Sequence, residues 1–117
     1  MEQWRSVNKS VAVDLGGMST TAQLHTALSA AFGFPRFYGG NYPALVDCWS
    51  SLRYPDDGMS ELVLDSLEDS IELRVAGADS CSEDVLHTLL SAVTAVNHRA
   101  KLNGLGDVIL VELTDSR

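Results

Sequence analysis

Cysteine is scarce in this chain: Cys48 and Cys81 are the only two in 117 residues. With no CxxC or CxxH spacing around them, neither a thiolate zinc site nor a redox motif is encoded, and reduced structural thiols are expected. No apolar run approaches the roughly 18 residues of a membrane span, and the segment 1–10 lacks the apolar centre of a signal peptide. The expectation is a cytoplasmic protein that makes no membrane contact. Basic residues are few as well, 8 Lys plus Arg against 16 Asp plus Glu, which leaves a formal net charge of −8. Such a surface repels phosphate backbones and argues against nucleic-acid binding. It suits plain solubility or attraction to a basic partner.

Signatures of catalysis are missing too. His25, His87 and His98 fall on expected helices with no second histidine at i+4 and no HExxH, so neither a metal site nor a cofactor is expected. No GxSxG elbow marks a nucleophile, and the protein is read as no enzyme. What is present is an ordinary globular balance, 45% hydrophobic and 21% charged. One domain of this length buries roughly two-thirds of the surface its unfolded chain exposes.

Val11, Val13 and Leu15 alternate with Ala12 and Asp14 before Gly16 and Gly17, as in a first strand. Thr20 and Gln23 have the spacing of a capping box, and Leu24, Ala27, Leu28, Ala31 and Phe32 recur with helical period. A helix over 21–32 follows, ended by Gly33 and Pro35. After a glycine turn, Asn41 suits an N-cap and Pro43 the first helical turn, so a second helix is predicted from 42 to about 52. Its apolar seam is drawn through Tyr42, Leu45, Trp49 and Leu52. Pro43, Val46, Asp47 and Ser50 then share the outward face.

Residues 53–60, rich in Pro, Asp and Gly, read as an exposed loop, and 61–69 is open between a short strand and a helical turn. Ile71, Leu73 and Val75 alternate as a second strand, with Gly77 as its stop. Ser80 or Ser82 caps a long third helix, with Glu83 and Asp84 at its positive end and Val85, Leu89, Ala92, Val93 and Val96 as its apolar stripe. Gly104 closes it. The unbroken run Val108, Ile109, Leu110, Val111 within 107–113 reads as a last parallel strand covered on both faces. The order predicts an α/β protein: a small three-stranded parallel sheet with helices packed on it, in a single domain spanning 1–117.

The segment Phe37-Tyr38-Gly39-x-Asn41-x-x-Ala44-Leu45-x-Asp47-Cys48 resembles the barstar family, whose comparable stretch reads Tyr-Tyr-Gly-x-Asn-x-x-Ala-Leu-x-Asp-Cys. Leu24-His25-x-x-Leu28 and Pro35 fall at family-like spacing, and the third helix and last strand match more loosely. Only the loop from 53 to 69 looks expanded. The resemblance implies a barstar-like fold and a stoichiometric inhibitor, an immunity protein or antitoxin that covers the basic active site of a bacterial ribonuclease or related nuclease toxin. In that one-to-one complex, an acidic helix face and its preceding loop stand where the RNA phosphate would lie.

Asp47 matches the family's central aspartate, a fixed carboxylate able to accept charge-assisted hydrogen bonds from Arg, Lys and His while offering no bond to cleave. Phe37, Pro43, Val46, Tyr38, Gly40 and Ser50 complete the implied partner-binding surface. Gly39, Gly40 and Asn41 also have structural roles, in the turn and the cap. Phe37 suits an interface anchor and a core aromatic alike.

The pattern departs from the family at four places. Phe37 stands at a tyrosine position, Pro43 at a second acidic position and Val46 at a tryptophan position. Through Ala100-Lys101-x-x-Gly104, Arg99 falls on an acidic position of the third helix. A toxin other than the family's best-known ribonuclease is therefore expected. Asp56, Asp57, Glu61 and Asp65 either keep their loop wet or extend the acidic patch. Two rivals remain: a regulatory module of the same fold with a non-toxic partner, and a small enzyme using Asp47 and a histidine.

Overall fold

The computed structural model describes residues 9–36 and 38–114. Strand β1 (Lys9–Asp14) is followed by helices α1 (Thr21–Phe32) and α2 (Tyr42–Ser50), strand β2 (Ile71–Ala76), helix α3 (Glu83–Leu102) and strand β3 (Ile109–Leu113). The three strands form one parallel sheet in the order β1-β2-β3, with Val11 opposite Leu73 and Leu73 opposite Val111. The predicted α/β class, strand number and direction hold.

Local chemistry sets the helix boundaries. The Thr20 hydroxyl accepts from the Gln23 N–H while the Gln23 side chain accepts from the Thr20 N–H, a reciprocal capping box. Ser82, not Ser80, caps α3 by accepting from the Val85 N–H, and Glu83 and Asp84 occupy its first turn. Gly33 ends α1 at φ 70°, a left-handed conformation that L side chains rarely adopt. A Cβ on Gly33 would also lie 2.6 Å from the Glu61 Cβ, where the chain crosses back over the end of α1.

The core lies between one face of the sheet and the three helices. Ile71, Leu73 and Val75 of the central strand are wholly buried, as are Leu24, Leu28, Leu45, Trp49, Val85 and Leu89 from the helices. Each such aliphatic side chain contributes about 1.5–3 kcal/mol relative to exposure. Both crossovers cover the same face, because right-handed connections that step in one direction along a sheet fall on one side. The other face carries a polar ladder: Ser10 donates to Glu72 at 2.9 Å, and Arg74 bridges Glu72 and Glu112 at 3.2 and 3.5 Å. The Ser10 hydroxyl and then the Arg74 guanidinium hold the Glu72 carboxyl below its ordinary range.

Two sequence expectations are corrected. The last strand is an edge strand covered on one face, with Leu110 42% exposed, so its apolar run does not signal double coverage. Residues 61–69 form neither strand nor helix but bends and one turn, closed by the Asp69 N–H on the Ser66 carbonyl at 3.1 Å, and are fixed where the fully buried Leu64 donates its N–H to the Leu52 carbonyl at 2.7 Å.

Arg53 corrects a third, because it begins the loop read as exposed yet is only 5% exposed. Its guanidinium donates to the carbonyls of Asp69, Gly106 and Asp107, each at 2.9 Å, and thereby ties the loop to the turn before β3. Burial lowers its pKa, opposed by the nearby Tyr54, Asp69 and Asp107. Asn97 fixes the same turn from α3. Its side-chain oxygen accepts from the Val108 and Ile109 N–H groups, and its amide donates to the Ile109 carbonyl.

Candidate functional site: the α2–α3 seam

The loop before α2 is shaped by Gly40, at φ 65°, and by Asn41, whose side-chain oxygen accepts from the Ala44 N–H at 2.9 Å. Both take the structural roles their residue types suggest. Tyr38 is half-buried, stacks at a tilt on Phe34 and shares a hydrogen bond with the buried His25. Burial raises the Tyr38 pKa, helped by Cys48, and burial lowers that of His25. Tyr38 therefore anchors the loop to α1. Phe37 lies outside the described residues.

Helix α2 buries Leu45, Val46, Cys48 and Trp49. The expected seam holds at Leu45, Trp49 and Leu52, all fully buried, and is corrected at two places: Tyr42 is exposed, and Val46, expected on the outward face, is 3% exposed and belongs to the core. The reason is geometric. A two-turn helix packed against α3 and, through its own Trp49, against Phe32 of the Phe32–Phe34 pair buries an arc wider than a single stripe. Tyr42 instead lies at the rim, its hydroxyl donating to the Ser91 carbonyl of α3 at 3.1 Å. The Trp49 indole N–H is buried without a hydrogen-bond acceptor among the described residues.

Asp47 does face outward, its side chain 59% exposed, but it is not alone. Arg99 of α3, 52% exposed, donates from Nη1 to Asp47 Oδ1 at 3.1 Å and to Ser50 Oγ at 3.2 Å. The Ser50 hydroxyl proton goes to the Val46 carbonyl at 2.7 Å, which turns an oxygen lone pair toward Arg99. The helix face expected to be acidic thus carries one carboxylate, already paired within the chain. Pro43, exposed, lies one turn earlier on the same side.

Beside the pair, a cavity of about 110 Å³ opens between the C-terminal ends of α2 and α3, lined by Ser50, Tyr54, Val96, Arg99, Leu105 and Val108 among others. Of the implied partner-binding residues, Asp47, Ser50 and Pro43 share one surface, while Tyr38 and Gly40 lie in the loop above it and Val46 lies beneath. The sequence noted Arg99 only as a reversal of sign. Its neighbours Val96 and Ala100 are buried, which places Arg99 at the edge of the stripe that α2 covers.

Other candidate chemistry is dispersed. His87 and His98 are exposed, and no histidine hydrogen-bonds Asp47 among the described residues. Among those residues, no group of three or more His, Cys, Asp or Glu could hold a metal ion, and no helix is long and apolar enough to cross a membrane. Both cysteines are free, and burial, then the Asp47 charge, raises the pKa of the Cys48 thiol. Asp56, Asp57, Glu61 and Asp65 are exposed; Asp57 accepts from the Ser51 hydroxyl at 2.9 Å, close to the end of α2.

In comparison with known proteins, residues 8–104 match the family described as Barstar (barnase inhibitor). That stretch contains every element except β3. No curated protein matches the chain.

Proposed function

The chain belongs to the barstar family, and from that premise we propose that it is a stoichiometric inhibitor of a bacterial ribonuclease or related nuclease toxin. It blocks the toxin's basic active site with the exposed surface of α2 and the loop before it. It acts in the cytoplasm as an immunity protein, forms a one-to-one complex and catalyses nothing itself.

The observation that carries this reading is Asp47, a carboxylate on a helix whose neighbours are fixed by a cap and a buried core, turned outward at the family's central position. A nuclease gathers cations around a phosphodiester. A preorganised carboxylate can take the phosphate's place among them without a scissile bond. Net charge of −8 favours encounter with such a site and disfavours RNA itself.

The test is a titration of this protein into an RNA-cleavage assay of the nuclease toxin encoded beside it. Activity should fall linearly to zero at one equivalent. Residual full activity at several equivalents would assign the fold to another partner.

A further inference from the structure

The ion pair at the centre of the surface leaves half of each partner unused. Arg99 makes both of its hydrogen bonds through Nη1, so Nε and Nη2 have no acceptor among the described residues. Asp47 is engaged through Oδ1, and its second oxygen has no donor among them. Both side chains are about half exposed, so the surface displays a carboxylate oxygen and a guanidinium edge within one contact. The nearby cavity is lined largely by the apolar Val96, Ala100, Leu105 and Val108.

A purely cationic site approaching this pair gains attraction from Asp47 and loses it to Arg99, because the two charges are only 3.1 Å apart. At the pair itself it meets a dipole rather than an anion, whatever the attraction of the chain's net charge at longer range. A partner with both signs in register gains from each. Its cation takes the free oxygen of Asp47, and its carboxylate takes the free edge of Arg99, a planar donor array suited to bidentate carboxylate binding.

Resting on the inhibitor reading above, we propose that Arg99 is a specificity-determining contact: the cognate nuclease presents a carboxylate beside its active-site cations, and Arg99 binds it. A general-base carboxylate set among phosphate-binding cations has this chemistry. The pair then serves twice. Arg99 orients Asp47 in the free protein and rejects active sites that carry cations alone.

The experiment measures the affinity of the catalytically inactivated toxin encoded beside the chain for wild type, Arg99→Gln, Arg99→Glu and Asp47→Ala, with thermal melts to show that each variant is folded. Glutamine keeps an amide donor on a side chain two bonds shorter and carries no charge. The expected losses are roughly 10-fold for Arg99→Gln and 100-fold or more for Arg99→Glu, on the scale of charged contacts at protein interfaces. Wild-type affinity in Arg99→Gln would mean that the charge of Arg99 contributes nothing to the complex. Unchanged or tighter binding by Arg99→Glu would mean that its charge opposes the complex. Either result overturns the proposal, and a large loss in Asp47→Ala would still leave the inhibitor reading standing. Failure of wild type itself to bind would remove both.

Discussion

Arg99 reaches from α3 to hold Asp47 of α2 at 3.1 Å, so the carboxylate that defines the candidate surface is oriented by its own chain before any partner arrives. With both side chains more than half exposed, this pair contributes little to stability, about 0–1 kcal/mol. Its worth lies in binding. Asp47→Ala should leave the urea midpoint nearly unchanged while weakening toxin binding by at least 100-fold, because the toxin's cations would be left desolvated and unpaired. Parallel unfolding and binding curves check the separation, and a large shift in the midpoint would contradict it.

Arg53 should behave in the opposite way. Removing the guanidinium takes a donor from three main-chain carbonyls, of which that of Asp107 keeps a second donor in the Ser70 hydroxyl at 2.8 Å, and Arg53→Ala is expected to cost about 2–3 kcal/mol. Arg53→Lys should recover only part of this, since an ammonium cannot reproduce the planar fork. Urea denaturation of both variants gives the comparison. A cost under about 1 kcal/mol for Arg53→Ala would show that water replaces the side chain.

The two positions mark what the sequence could and could not convey. Elements bounded by local chemistry were legible: Thr20 with Gln23, Asn41, and Gly33 each act within a few residues of the boundary they set. The acceptors of Arg53 lie 16, 53 and 54 residues away, so a charged residue opening a Pro- and Asp-rich loop reads as solvated. The width of the buried face of α2 was illegible for a related reason: Tyr42 and Val46, four residues apart, lie on nearly the same side, and only the packing of α3 and Phe32 covers Val46 and leaves Tyr42 at the rim. Asp47 lies opposite the buried arc whatever its width, which is why the outward placement of this candidate residue was legible when part of its surroundings was not. The pairing of Asp47 with Arg99 spans 52 residues and has no local signature.

Val46 should therefore report on folding. Val46→Ala is expected to destabilise by about 1–3 kcal/mol through lost burial and the cavity it leaves, with little effect on affinity for the toxin once the variant is folded. Pro43→Ala, at an exposed position, should change stability by less than about 1 kcal/mol. Thermal melts of the two variants discriminate them, and equal melting temperatures would contradict the burial of Val46 in the core.

Stability should also fall with acid sooner than carboxylates alone would dictate. Burial lowers the pKa of His25 below its ordinary 6.5, so the unfolded chain takes up a proton that the folded chain refuses. The contribution is complete above pH 6.5 and is lost progressively as pH falls toward the lower folded value. Between pH 6.5 and 5.5, the free energy of unfolding should decline in the wild type and decline less in His25→Gln. Identical slopes in this window would place the proton uptake elsewhere.

The most direct test of an inhibitor that occupies an active site is competition. A fluorescent, uncleavable RNA oligonucleotide bound to the inactivated toxin should be displaced completely by one equivalent of this protein, with no ternary complex at any ratio. A stable complex holding toxin, oligonucleotide and this chain together would place its binding surface outside the active site and contradict the account.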